Sequence, residues 1–335
     1  MILYRRTDVR HTAGVPNTRR MAGVLVFVSW LLLSGCSLML PQTTALQDNK
    51  PQQLPDRVSL DEVPFVPQDE NLCGPAALKM AMASAKVEAT LDELKRQVFI
   101  PGRQGSLQAE MLAAPRRHGL VSYRLAPRLE DVLREVAAGT PVIVLQDYGV
   151  WPVKVWHYAV VVGYDYPTQK VALHTGLKRR MEMPIAVLEY LWKQSDYWAM
   201  IAVPPQRLPA TANEAAYVDA VAAVERAGDL RTARTAYEAT LKRWPDDVKA
   251  AVGLANTHYE LGELNDAEAV LRRAVERHPD SAILLNNLAQ TLSDLNRNAE
   301  AIAVVDRAIA LGGDFADTVK DTRRHIVLRM QAAAR

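Results

Sequence analysis

Cysteine is nearly absent from this 335-residue chain: there are two, Cys36 and Cys73. Two thiols form at most one disulfide, so a cystine-stapled scaffold is excluded and the fold rests on buried apolar side chains. Phenylalanine is scarce, at four residues. No close Cys/His pair has zinc-ligand spacing, so no metal site and no cofactor are expected. An excess of one charge is also lacking, with a formal net charge of +2. The first 35 residues hold five arginines and one aspartate, so removing them takes +2 down by four, to −2. No basic stripe with interleaved aromatics remains, and nothing points to a nucleic-acid partner.

The first 35 residues read as a targeting segment. Arg5, Arg6, Arg10, Arg19 and Arg20 precede the apolar run Met21–Leu33. That run is too short to span a bilayer comfortably and has the proportions of a signal-peptide core. It ends in Leu33-Ser34-Gly35-Cys36, which resembles a bacterial lipobox. The resemblance implies cleavage before Cys36 and lipidation of its thiol, giving a membrane partner through the lipid. The alternative is an ordinary signal peptide with an incidental cysteine. Ser37, in place of an acidic residue, points to the outer membrane, facing the periplasm of a bacterial envelope. Pro41–Arg57 is polar, with Gln42, Gln47, Gln52 and Gln53, and residues 36–57 read as a lipidated flexible tether.

With Cys36 assigned to lipid, Cys73 has no disulfide partner in its own chain. It stands in Gln68-Asp69-Glu70-Asn71-Leu72-Cys73-Gly74-Pro75, ahead of an apolar stretch that reads as a buried helix. Pro75 suits a first helical turn. A helix N-terminus lowers a thiol's pKa through its unpaired N–H groups, and a nearby imidazole accepts the proton. His157 opens the strand-like run Trp156–Asp165 and is the candidate partner. Gln68 carries a side-chain amide that can face a tetrahedral oxyanion, with the Cys73 N–H as second donor.

Residues 58–205 alternate helical and strand signals. Thr90-Leu91-Asp92-Glu93 is a capping box opening a helix to about Val98. Ser106 is expected to cap a helix ending at His118-Gly119. A strand at 121–126, a helix at 129–138 and a strand at 141–145 follow. Then come the strands 155–164 and 170–174, a helix at 185–193 and a strand at 197–203. Helices first and an antiparallel sheet after them give an α+β class. The Gln68…Cys73-Gly74-Pro75 block, Pro141–Leu145 and His157-Tyr158-Ala159-Val160-Val161-Val162-Gly163-Tyr164-Asp165 resemble the C39-like branch of papain-fold cysteine peptidases. The resemblance implies Cys73 as nucleophile, His157 as general base and then acid, Gln68 as oxyanion donor, and a protein or peptide substrate. Members of that branch place an Asp or Asn on the strand after the histidine. Here that stretch is Ala172-Leu173-His174-Thr175-Gly176. His174 or Thr175 is left to orient His157, with Gln146 or Asp147 as candidates from the neighbouring strand.

From Glu214 the composition becomes helical and repeats every 34 residues. Ala233, Ala267 and Ala301 align, and Gly228, Gly262 and Asn296 mark the turns. This resembles the tetratricopeptide repeat, an all-α solenoid, with units at 214–247, 248–281 and 282–315 and a capping helix to about 330. Tyr217, Asn256, His258, Tyr259, Asn286, Asn287 and Gln290 are candidates for a concave face. Asn256, Tyr259 and Asn287 lead as residues that bind a peptide or partner tail. The functional expectation is an envelope-anchored cysteine peptidase. The alternatives are a non-catalytic adaptor on a degenerate peptidase fold and a thiol-dependent acyl or amide transferase.

Overall fold

The computed structural model describes residues 40–333 apart from 69, 70 and 151. Cys36, the leader before it, Asp69 and Glu70 lie outside the described residues. No helix among the described residues is long and apolar enough to cross a membrane.

An antiparallel sheet organises the first domain. Its path runs β4 (Val121–Arg124), β9 (Ala199–Val203), β5 (Val142–Asp147), β6 (Trp156–Asp165), β7 (Lys170–Thr175) and β8 (Lys178–Pro184), and β1 (Arg57–Ser59) adds to the end of β6. Strand β5 is buried at every position, so its alternate side chains feed two cores. Ile143 and Leu145, with Tyr158, Val160 and Val162, pack with helix α2 (Cys73–Ser84). Val142 and Val144, with Ala159 and Val161, pack with α5 (Leu129–Ala137) and α6 (Ile185–Lys193). The α+β expectation holds. Strand β8 was not expected, because Lys-Arg-Arg-Met-Glu-Met carries little strand propensity; pairing with β7 holds it.

Two local expectations are corrected. The helix expected from Ser106 to His118 is split. Ser106 pairs with Phe99 in a short hairpin, residues 108–113 are helical, and Pro115–His118 form a 3₁₀ turn. Pro115 has no N–H with which to continue the ladder. The flexible tether is also corrected, for its described part. Pro41–Asp48 is a helix, α1, with Thr43 and Leu46 buried. The Gln42 and Thr43 N–H groups donate to the buried Glu189 carboxylate at 3.1 and 2.6 Å, and Gln42 Oε1 accepts from the Leu129 N–H at 2.5 Å. A carboxylate at a helix N-terminus satisfies both the unpaired amides and its own burial. Glu189→Ala is therefore expected to cost about 1–3 kcal/mol of stability. A denaturant midpoint shift checks the value, and limited proteolysis should then cut within residues 41–50.

Seven helices follow: α7 (Glu214–Arg226), α8 (Leu230–Arg243), α9 (Val248–Glu260), α10 (Leu264–Arg277), α11 (Ala282–Asp294), α12 (Asn298–Leu311) and α13 (Ala316–Ala333). The three turn residues all take left-handed φ, at 88° for Gly228, 78° for Gly262 and 63° for Asn296. Ala233, Ala267 and Ala301 are fully buried, as close packing of paired helices requires. The repeats share one continuous core with the α5–α6 side of the sheet. Tyr217 is fully buried at that junction, with its ring 6.1 Å from Tyr123 and 6.3 Å from Trp244. It is not on a free concave face, which corrects that expectation.

Candidate active site

Helix α2 begins at Cys73, and its first turn is unusually bare. Its N-cap, Leu72, offers no side-chain hydrogen bond, and no acidic residue lies in the turn. Pro75 has no N–H. The amides of Cys73 and Gly74 are thus left to face whatever lies at the helix end. Gly74 is required by packing: a Cβ there would lie 2.4 Å from Ser106 Oγ and 2.7 Å from Ser106 Cβ. The glycine lets the 99–106 hairpin close over the helix start.

One cleft of about 1470 Å³ is lined by Cys73, Gln68, His157, Tyr148 and Thr175. The structure thus brings together the three residues that the sequence singled out. Gln68 is 5% exposed. Its backbone N–H donates to Gly176 O at 3.0 Å, and its Oε1 accepts from the Gly176 N–H at 3.1 Å. Both contacts hold the Gln68 segment and leave Nε2 buried without a partner among the described residues. A buried amide donor without an acceptor is costly unless a ligand oxygen meets it.

His157 is half-buried, and its Nε2 lies 2.8 Å from Thr175 Oγ1. A hydroxyl that accepts Nε2–H leaves Nδ1 as the basic nitrogen. Tyr148 lines the same cleft as Thr175, and its hydroxyl donates to Gln146 Oε1 at 3.1 Å. Gln146 is fully buried and stands opposite His157 in the β5–β6 register. The Tyr148 ring meets the imidazole edge-on, 5.8 Å between centroids. The imidazole is therefore held by a neutral hydroxyl and an aromatic edge. Sequence reasoning missed Tyr148, which sits in the irregular loop after β5 where no periodicity marks it.

The possible orienting role of His174 is corrected. Its Nδ1 accepts from the Arg180 N–H at 3.2 Å, its Nε2 lies 3.3 Å from Val63 O, and its ring packs on Phe65. Both nitrogens are spent in the core. Asp147 is spent as well, on the Gly149 and Val155 N–H groups and on Lys154.

Burial pushes the Cys73 thiol up, against the lowering pull of the Tyr158 and Gly74 N–H groups. Burial also holds the His157 imidazole below its ordinary value. Both shifts favour the neutral thiol and the neutral imidazole, two groups that line one cleft, over a standing ion pair. Thr175→Val should lower kcat about tenfold, the worth of one hydrogen bond, with KM unchanged. Thr175→Ser should retain the rate, and Thr175→Asn should match or exceed it.

In the repeats, Asn256 is exposed on α9 and Asn287 is half-buried on α11. The Tyr259 hydroxyl is committed to Asp294 at 2.7 Å, and Asp294 also accepts from Gln290 and Arg329. His258, Glu263 and Asp266 place ligand-type atoms within 4.8 Å of one another. A hydrogen bond and an ion pair account for that grouping, since Glu263 holds His258 at 2.6 Å and Arg234 at 2.8 Å.

Residues 60–199 match the Peptidase_C39 like family, and residues 226–284 and 270–303 match tetratricopeptide-repeat models. The chain thus carries a Peptidase_C39-like domain followed by tetratricopeptide repeats. Among solved structures, a Bacillus anthracis protein described as a C39-like peptidase is 18% identical, with a TM-score of 0.36, and is matched over 44% of this chain and 98% of that one. The TPR2B domain of yeast Sti1, in a complex with pHsp70, is 19% identical with a TM-score of 0.31, over 32% and 91%. MamA is 27% identical with a TM-score of 0.32, over 35% of this chain and 63% of its own length. A comparison with curated proteins finds no match.

Proposed function

We propose that this chain is a cysteine peptidase that hydrolyses peptide bonds in a polypeptide substrate. The observation that carries the reading is the unpartnered, buried Nε2 of Gln68 in one cleft with Cys73 and His157. In this reading the thiol proton passes to His157 as sulfur bonds to the substrate carbonyl carbon. Gln68 Nε2–H and the Cys73 N–H stabilise the oxyanion. The C–N bond then breaks, and His157 returns the proton to the amine. Water, deprotonated by His157, splits the thioester and frees the thiol. Thr175 in place of a carboxylate or amide supports slower turnover rather than its loss. The test is hydrolysis of an unfolded polypeptide by the purified chain. Iodoacetamide should stop it in proportion to alkylation of Cys73; hydrolysis that continues with Cys73 fully alkylated would sink the proposal.

Anchoring through Cys36 at the outer membrane, facing the periplasm, belongs to the same reading, motivated by the leader and Leu33-Ser34-Gly35-Cys36. Cys36→Ala should move the chain from the membrane to the soluble fraction. The repeats would hold a protein substrate or partner near the cleft, because their first helix is built into the core of the sheet domain.

A further inference from the structure

A second cavity, of about 880 Å³, lies where the first repeat meets the sheet domain. Arginines from both sides converge on it: Arg116 from the 3₁₀ turn, Arg124 from the end of β4 and Arg226 from the end of α7. Arg128 also lines it but is spent on Asp131 at 2.5 Å. Among the described residues, no carboxylate forms an ion pair with Arg116, Arg124 or Arg226, and Asp219 is the one other acid on the wall.

Arg116 is the most constrained of the three. Its Nε is enclosed with no acceptor among the described residues. Burial, and then the charge of Arg226, pull its guanidinium below the ordinary value. Beside it on the cavity wall, Ser122 is 1% exposed and its hydroxyl has no partner among the described residues. Two neighbouring cations and two buried unpaired donors cost free energy in the empty protein. An oxyanion removes all of these costs together, and guanidinium forks match phosphate oxygens in bidentate geometry.

We propose that this seam is a binding site for a phosphate group, clamped by Arg116 and Arg226 with Ser122 donating its hydroxyl. A clamp with groups from both domains ties ligand binding to the junction between the sheet domain and the repeats. It is independent of the peptidase reading. The ligand is free phosphate or the phosphate of a small ester or lipid headgroup.

Thermal unfolding of the full chain tests it, in sodium phosphate against sodium chloride at matched ionic strength, and in parallel with glycerol phosphate. A saturable rise of Tm specific to phosphate is expected. Arg226→Gln should act with opposite signs. In chloride its Tm should exceed that of the wild type, because the repulsion on Arg116 is gone. The concentration of phosphate needed for half the rise should increase at least tenfold. An arginine that merely supports the fold would lower Tm in chloride. Ser122→Ala should weaken the phosphate response without changing the chloride value by more than a degree or so. A rise with both ligands assigns recognition to the phosphate group itself, and a rise with one identifies the source. No phosphate-specific rise, or a full response in Arg226→Gln, overturns the proposal.

Discussion

Cys73→Ala should lower peptide hydrolysis by at least about three orders of magnitude, and His157→Ala by nearly as much, because nucleophile and base act as one unit. Neither change should unfold the chain. Cys73 is half-buried at the start of α2, and alanine removes only the sulfur while keeping helix propensity. Among the described residues His157 makes one side-chain hydrogen bond, to Thr175. The double variant should be no worse than either single one. The wild type should lose activity in acid as His157 takes up a proton. Burial holds that imidazole below its ordinary value, so the midpoint should fall below about 6.5. The same group contributes to folding: the unfolded state binds the proton more readily, so stability is present above about pH 6.5 and is lost as pH falls through the folded value.

Gln68→Ala should cost about 100- to 1000-fold in kcat with little change in KM. Its Nε2 is the buried donor without a partner, and it meets full negative charge only when the carbonyl becomes tetrahedral. Gln68→Glu should be at least as damaging, since it places a carboxylate where an oxyanion must form. Steady-state kinetics on one peptide, with circular dichroism to confirm the fold, separates this from a packing defect. Proportional losses in kcat and Tm would point to packing alone.

Much of the site was legible because its markers are local. Cys73-Gly74-Pro75 declares a bare helix start, and the 2.4 Å to Ser106 Oγ that a Cβ would have explains why the second residue is glycine. The period of 34 places the repeat turns, whose φ values are all left-handed. The residue that orients His157 was not legible. Neighbouring residues of a strand face opposite sides, so the choice between His174 and Thr175 depends on the phase of β7. Its pairing with β8 shifts register between Leu173 and Thr175, and that with β6 between Val161 and Gly163. A bulge changes which side chain faces the cleft, and no pattern of apolar residues reports it. Helix α1 was hidden for another reason. Its polar composition predicts no core of its own, and its order depends on Glu189, 147 residues away from Gln42 in the chain. Tyr217 shows the same limit, since an aromatic on a repeat helix reads as free surface until a neighbouring domain covers it.

Reaction of the native chain with a small thiol-directed electrophile, read by peptide mass spectrometry against pH, tests the central claim most directly. The account predicts an adduct on Cys73 whose formation is slowed at least tenfold in His157→Ala. Labelling of Cys73 that is indifferent to His157 would contradict it, and would leave the fold as a binding platform.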